Sequence, residues 1–437
     1  MLEIINSLMQ ISSQILSAFV FIVSMYYLCI SFFGLYKKKD DSYVEPKKSF
    51  ALLVAAHNEE KVIQDIIYSL KRLDYPKNLY DIFVIADNCT DKTAVMGRKA
   101  GAIVYERFNK TKKGKGYALE WMFDKIFKLD KNYDSIVIFD ADNLASRNFL
   151  LEMNKKLCEG FKVVQGYLDS KNPHDTWITG SYSIAFWSSN RMFQLSRRNL
   201  GLSNQLGGTG FCIDTEILKE LGWGATCLTE DLEFTCKLVL NGYKVGWAHE
   251  AVIYDEKPLT LSQSWRQRKR WMQGFADVAG RYFFKLMRKG IREMNMTAID
   301  CALYSIQPLV IIILGIAMLI SYINKLLSFD YLSLFHSMTS SSSFLSTINP
   351  LNSISNIGTI TIVVFVVSVL QFIYTPVVLM LEKKMTFKVF LYYLIFPIYT
   401  ITWLPISIQG IIDRNKKEWS HTVHTRSVNI TDLEKVN

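Results

Sequence analysis

Apolar residues fall along the chain in two regimes. Between residues 48 and 255 they come as short runs, SFALLVAAHN, YDIFVIAD and DSIVIFDAD, each closing on polar residues. The stretch EEKVIQDIIYSLKRL, with helical spacing of its apolar positions, separates the first two. Strand, helix, strand with both strand faces apolar predicts a parallel sheet covered by helices. In such sheets ligands bind beyond the carboxyl ends of the strands, which is where Asn58, Asp87, Asp140 and Asp142 fall.

Outside that region the apolar runs are long. Residues 8 to 36 carry no charge before Lys37, enough for a spanning helix, and KKKD follows at 37 to 40. The positive-inside rule then puts the N-terminus outside and the next domain in the cytoplasm. Further spans are expected around PLVIIILGIAMLISYI, within 300 to 324, and TIVVFVVSVLQFIYTPVVLML, within 357 to 381. The serine-rich loop between them should lie outside, and LEKKMTFK inside. Residues 389 to 412 are apolar too, but DRNKK follows them, and Pro397 and Pro405 should each break a helix. A broken interfacial or re-entrant segment is expected there, leaving three spans. The predicted division is a first span to residue 40, a catalytic domain at 48–258, amphipathic helices at 259–296, a span at 297–325, an outer loop at 326–355, a span at 356–382, the broken segment at 386–412 and a tail at 413–437.

Composition narrows the classes. Half of the 437 residues are hydrophobic and the net charge is +10, which suits nucleic acid, phosphorylated ligands or an anionic membrane face alike. The seven cysteines are scattered without a CxxC pair, so neither a disulfide framework nor a zinc site is expected and a reducing compartment fits. The first apolar run is too long for a cleavable signal peptide.

Chemistry concentrates in five motifs. The DAD of Asp140 and Asp142 follows a buried strand, and two carboxylates one residue apart can hold a magnesium or manganese ion that also bridges a diphosphate; a plain turn is the alternative. IADNCTD places Asp87 where a carboxylate can bind a ribose or base edge, and Asp91 where it serves equally as a helix cap. Thr229-Glu230-Asp231 offers a general base, or simply acids set against a helix dipole. KTKKGKGYALEW, 110 to 121, is a basic loop before a helix in which Lys113 or Lys115 can meet a phosphate. SQSWRQRKRW, 262 to 271, puts four cations between two tryptophans.

Taken together and in order, AAHNEE, IADNCTD, KGKGYAL, DAD, TED and QRKRW resemble the family 2 membrane glycosyltransferases, the processive synthases of cellulose, hyaluronan, chitin and poly-N-acetylglucosamine. The resemblance covers about 48 to 290. It implies an α/β GT-A catalytic domain joined to transmembrane and interfacial helices, and inverting transfer from a UDP-sugar with Mg2+ or Mn2+. Ala56, Glu59, Asp87, Lys115, Asp140 and Arg270 would bind the nucleotide, and Asp142 the metal. Asp231 would be the base, with Glu230 and Arg270 completing the catalytic set. Gly208, Thr209, Gly210 and Phe211 of GGTGF, with Gln267 and Trp271, would meet the acceptor. EWSHTVHTR looks like the family's gating loop, with Trp419, Thr422 and Arg426 as its working residues.

The chemistry agrees with the motifs. A sugar hydroxyl must lose its proton as the bond forms, UDP leaves with growing negative charge, and a sugar's C–H face packs on an indole. At helical spacing Gln267, Arg270 and Trp271 share one face, Arg266 and Lys269 turn away toward lipid head groups, and Arg268 is assigned to neither. The expected function is a processive inverting synthase of a β-1,4 or mixed β-1,3/β-1,4 glucan from UDP-glucose, which helps to move its product across the bacterial plasma membrane. A UDP-GlcNAc-using synthase and a transferase to a lipid acceptor are the alternatives within enzymes. A membrane-anchored nucleic-acid or lipid-binding protein would explain the charge but not carboxylates at the strand ends. The partners expected are therefore donor, polysaccharide and lipid, with no nucleic acid, and a second copy or an accessory secretion protein to complete a pore.

Overall fold

The computed structural model describes residues 2–38, 42–224, 227–327, 369, 373–416, 426–428 and 430–434. The chain forms two compact units, one of Met1–Cys29 with Leu309–Val377 and one of Ile30–Pro308 with Val378–Asn437. In its described residues the first unit is helical, with most of α1 (Leu2–Phe32) and of α12 (Gln307–Leu327).

The second unit is built on an eight-stranded sheet in the order β3-β2-β1-β4-β7-β6-β8-β5. Its strands are β1 (Phe50–Ala56), β2 (Tyr80–Asp87), β3 (Ile103–Arg107), β4 (Ser135–Asp140), β5 (Leu144–Ala145), β6 (Val163–Ser170), β7 (Phe211–Asp214) and β8 (Val245–Asp255). The central strands are almost wholly buried because helices cover both faces, so FALLVAA and SIVIF need no polar alternation. The helices α2 (Ile63–Lys71), α3 (Thr93–Lys99), α4 (Lys115–Ile126), α5 (Phe149–Cys158) and α8 (Thr215–Leu221) cover them. On α2 the buried positions Ile63, Ile66, Ile67 and Leu70 recur at helical spacing and join Leu52, Val54 and Val84 in one core. The other face packs Leu53, Phe83 and Ile138 against Leu119, Met122 and Phe123 of α4.

The sheet is mixed, not parallel as expected. β7 runs antiparallel to both β4 and β6. The cause is GGTGF: Gly208 and Gly210 take φ of 81° and 64°, a left-handed backbone that glycine adopts at little cost, and they turn the chain back beside β4. Phe211 therefore sits in the core, 1% exposed and stacked on Trp223. Its expected acceptor role is overturned by its position on the strand.

Beyond the sheet come α6 (Trp177–Ser188), a π-helical turn over Ser189–Leu195, α7 (Ser196–Asn199), α9 (Glu230–Leu240) and α10 (Leu261–Arg292). The last begins at a capping box in which Thr260 and Gln263 satisfy each other's free amides, and its 32 residues are one helix rather than several. α11 (Met296–Ser305) packs on α9 and α10. The span expected at 297–325 is thus broken: its first part is built into the catalytic unit, and Pro308 lacks the amide needed to run α11 into α12 as one helix. In 386–412 the structure has α13 (Phe387–Ile401) and α14 (Trp403–Ile412), separated only at Thr402. Contrary to expectation Pro397 lies inside α13, and Pro405 falls in the first turn of α14, where no donor is required. By length and composition the described residues hold two helices able to cross a membrane, Gln14–Phe32 and Phe387–Ile412, or up to three if α11 and α12 count as one bent span. Residues 373–381 are helical, but the rest of the 356–382 segment, apart from Val369 and Glu382, and nearly all of the 326–355 loop lie outside the described residues.

One ion pair ties α7 to α11. Arg197 donates from Nε and Nη2 to the two Asp300 oxygens at 2.7 and 2.8 Å, and both side chains are 1% exposed. Removing one member leaves the other charged and buried. Asp300→Asn should therefore cost about 3–5 kcal/mol, read as a loss of thermal stability of the detergent-solubilised chain. A change near zero would show that the pair is not desolvated.

Candidate active site at the carboxyl ends of the strands

The parallel register sets the floor of the site. Ala55 lies opposite Asp140 and Ala56 opposite Ala86, so β1, β2 and β4 end at one level. Two asparagines then turn the chain: Asn58 and Asn88 hold φ of 56° and 52°, a region asparagine tolerates better than most residues. Asn58 Oδ1 accepts from the Thr90 amide and Asn88 Oδ1 from the Asn109 amide, both at 2.8 Å. The loops after β1, β2 and β3 are thereby locked into one rim.

Ala56 and Glu59 are buried on that rim, and Thr93 Oγ1 accepts from the Glu59 amide at 2.8 Å. Asp87 pairs with Arg107, opposite it in register, at 2.5 Å with both side chains largely buried. Arg107 was not foreseen; a cation closing a strand beside an acid was the available signal. Asp91 takes the structural alternative, accepting from Thr93 N and Oγ1 and from the Glu60 amide.

At the centre stands Lys115, the first residue of α4. Its ammonium is paired with Asp140 and donates to the Gly208 carbonyl at 2.6 Å. Lys113 has no such place. Burial works against the Lys115 charge, but Asp140, Glu230 and Asp231 outweigh it and hold the group above the usual lysine range. Thr209 joins the Asp140 amide to Asn143. Asp142 is 5% exposed and accepts from the Glu256 amide at 2.9 Å. Asp255, which closes β8, was missed although it obeys the same strand-end rule. Burial pushes its carboxyl up to about 6, and Asp142 and Asp140 push the same way against the nearby Lys257.

Among the described residues no three His, Cys, Asp or Glu side chains form a metal cage. The acids fit an open site instead, since magnesium is commonly held by one or two carboxylates plus substrate phosphates. The like-charge strain around Asp142 and Asp255 is what a divalent cation would relieve.

Glu230 and Asp231 open α9. Desolvation, then the Asp231 charge, push Glu230 up to about 7, with Lys115 opposing; burial likewise raises Asp231. The two are neighbours in the first turn of α9, each partly buried, and each charge opposes ionisation of the other. A Cβ on Gly208 would lie 3.4 Å from Asp231 Oδ2, so the loop expected to meet the acceptor lies beside Asp231.

The opposite wall is aromatic. Gln267 Oε1 accepts from the Tyr182 hydroxyl at 2.8 Å. Trp271 packs edge-on to Tyr182 at 6.1 Å and is stacked with Trp403 at 6.5 Å, while Phe186, Phe396 and Tyr399 complete the cluster. Of these aromatic residues only Trp271 was foreseen, because the contacts join α6 and α10 to α13 and α14, far apart in sequence. Arg270 is half-buried on the same helix, and its charge reaches Tyr182. Lys269 does not face lipid: it pairs with Asp413 after α14. Arg266 is exposed and donates to Ser262 Oγ at 2.9 Å. Trp419 and Thr422 lie outside the described residues. Arg426 pairs with Asp175, and its amide donates to Glu256 at 3.2 Å.

Similarity to known proteins follows the same boundaries. Residues 46–274 match the family described as glycosyltransferase like family 2. The chain is 31% identical over 258 residues to the probable glycosyltransferase YdaM of Bacillus subtilis, across 56% of this chain and 60% of that protein. It is 29% identical over 234 residues to a beta-monoglucosyldiacylglycerol synthase of Nostoc, 51% and 48% of the two chains. With a poly-beta-1,6-N-acetyl-D-glucosamine synthase of Staphylococcus epidermidis it shares 26% over 319 residues, 69% and 72%. The matches thus span about half to three fifths of the first curated relatives. The mannosyltransferase PcManGT of Pyrobaculum calidifontis, solved with GDP-Man and Mn2+, superimposes with a TM-score of 0.55 over 83% of this chain and 98% of its own at 17% identity, so the GT-A fold is shared.

The coupled acids predict a pH signature. A base must be ionised, so kcat/KM should fall as pH drops through the Asp231 carboxyl, which burial raises above the usual aspartate range. Glu230→Gln removes a like charge and should move that acidic limb down by roughly one unit; Lys115→Met removes a counter-charge and should move it up by about as much. Shifts of the opposite sign would refute the assignment.

Proposed function

The chain belongs to the glycosyltransferase like family 2, and on that premise we propose that it transfers a hexosyl group with inversion from a UDP-sugar to a hydroxyl of a growing polysaccharide at the bacterial plasma membrane. One observation carries the reading. α10, which bears Gln267, Arg270 and Trp271, seats directly on Thr229, the residue before Glu230 and Asp231: a Cβ on Gly274 would come within 2.3 Å of Thr229 Oγ1. An acceptor platform and a carboxylate pair are thereby held in one rigid contact.

In this reading the acceptor sugar lies with its C–H face on Trp271 and its hydroxyl toward Asp231, which takes the proton as the new bond forms. Glu230 tunes that base through their shared charge. Asp87, fixed by Arg107, and the rim at Ala56 and Glu59 bind the nucleoside. Lys115 and Arg270 meet the negative charge that grows on the leaving diphosphate. Asp142, with Asp140 and Asp255 close by, would hold Mg2+ or Mn2+, which supplies charge neutralisation at the diphosphate when bound. The basic residues after α1 favour a catalytic unit on the cytoplasmic side.

The donor is proposed from the extent of likeness. The alignment with the poly-N-acetylglucosamine synthase runs over 319 residues, against 234 for the glucosyldiacylglycerol synthase. UDP-GlcNAc is therefore the donor to try first and UDP-glucose, the donor of the expected β-glucan, second. The aromatic wall favours a sugar ring as acceptor over a diacylglycerol. Membranes holding the chain, given each UDP-sugar in turn, should yield a polymer digestible by a linkage-specific hydrolase. Asp231→Asn should lower transfer at least about 1000-fold while UDP binding stays within a factor of about two. Glycolipid as the sole product would defeat the polysaccharide reading, and a fully active Asp231→Asn would defeat the base.

A further inference from the structure

Buried arginines in this fold come with a carboxylate: Arg107 with Asp87, Arg191 with Glu382 and Arg197 with Asp300. Arg268 departs from the rule. It is 0% exposed, yet among the described residues no acid pairs with it. Its Nη1 donates to Thr402 Oγ1 at 2.8 Å, and its Nη2 is buried without a hydrogen-bond partner there. The charge is met by ring faces instead, with the guanidinium carbon 4.3 Å from the Tyr399 centroid and 5.0 Å from that of Trp403. Such contacts recover part of the desolvation cost of an unpaired cation, not all of it.

What that costly arrangement holds is the frame around Trp271. Thr402 marks the break between α13 and α14, and its hydroxyl also donates to the Tyr399 carbonyl at 2.6 Å. Tyr399 packs on Tyr182 at 5.6 Å, and Tyr182 donates to Gln267. Trp403 stacks on Trp271 at an interplanar angle of 21°. Every aromatic neighbour that the guanidinium touches is in turn a neighbour of the acceptor wall.

We infer that Arg268 is a positioning residue for acceptor binding: from inside α10 it clamps Tyr399, Thr402 and Trp403, and so fixes the face that Trp271 offers to the acceptor. The role rests on the polysaccharide reading above, since it presumes a sugar ring on Trp271. It separates the second position of QRKRW from the roles proposed above for Gln267, Arg270 and Trp271. It also makes Trp403, more than a hundred residues downstream, part of the platform.

Full-length Arg268→Met, Arg268→Lys, Thr402→Val and Trp403→Phe chains in membranes test this. UDP affinity, hydrolysis of UDP-sugar without acceptor, KM for an oligosaccharide acceptor and product length would be measured on each. Arg268→Met should raise acceptor KM roughly tenfold and shorten the product, with UDP affinity and hydrolysis within about a factor of two of wild type. Arg268→Lys, which keeps the charge but loses the planar stack, should fall between. Thr402→Val should move KM in the same direction by less. Wild-type acceptor KM and product length in Arg268→Met overturn the role, and so does a parallel loss of UDP binding. If that variant does not fold, unchanged KM in both Thr402→Val and Trp403→Phe overturns it. A wild-type chain that makes no polysaccharide from any UDP-sugar fails the functional reading; an active wild type with an indifferent Arg268→Met fails the positioning role alone.

Discussion

Like-charged carboxylates crowded at the carboxyl ends of the strands are the constraint around which this molecule is arranged. Asp140, Asp142 and Asp255 come from two strand ends, and Glu230 and Asp231 from the first turn of α9. Burial raises the carboxyls of Glu230, Asp231 and Asp255 above their usual range. Lys115 and Lys257 supply cations, Lys115 against Asp140 and Lys257 against Asp255. The balance is incomplete, which suits a site whose ligand brings a diphosphate and whose chemistry needs a base poised near neutrality.

The remainder of the catalytic unit serves to hold that pocket against a second wall. α10 touches α9 at Gly274 and Thr229, and touches α14 where a Cβ on Gly410 would lie 2.4 Å from the Met272 Cβ. Both contacts depend on the absence of a side chain. Around them run Trp265 to Gln409 at 2.8 Å, Lys269 to Asp413, and Gln273 to the carbonyls of Asp413 and Lys416 at 2.9 and 3.1 Å. The residues leading into 417–425 are therefore tied to the helix that carries QRKRW. On the far side of that stretch, Val428, Ile430 and Leu433 pack on Leu144 and Tyr254, next to the acid cluster.

What could be read from the chain was local. A buried run that stops at Asp140 or Asp87 announces a strand end and its chemistry, and QRKRW at helical spacing announces a face. What escaped was long-range. β7 is four residues long and takes its direction from two glycines and from hydrogen bonds to strands distant in sequence. Lys269 looked like a lipid-facing cation because its partner, Asp413, lies 144 positions on. Phe211 looked like part of an acceptor loop because the motif runs into the strand without a break in composition. Tyr399 and Trp403 sit in a segment whose local pattern speaks only of apolarity, and Pro397 shows that a helix with enough neighbours absorbs one missing donor.

The Arg197–Asp300 pair bears on how the protein is made. Synthesis delivers the arginine about a hundred residues before its partner. Until Asp300 has left the ribosome, the π-helical turn and α7 carry a cation that they cannot neutralise, so the catalytic unit cannot complete its packing when residue 274, the last of the family match, has emerged. α11 has to arrive first, and the chain then runs directly into the apolar α12. Final assembly of the catalytic unit is thereby postponed until the following apolar helix is itself being synthesised. A fragment cut at the family boundary would be caught on the near side of that step, with its last lock missing.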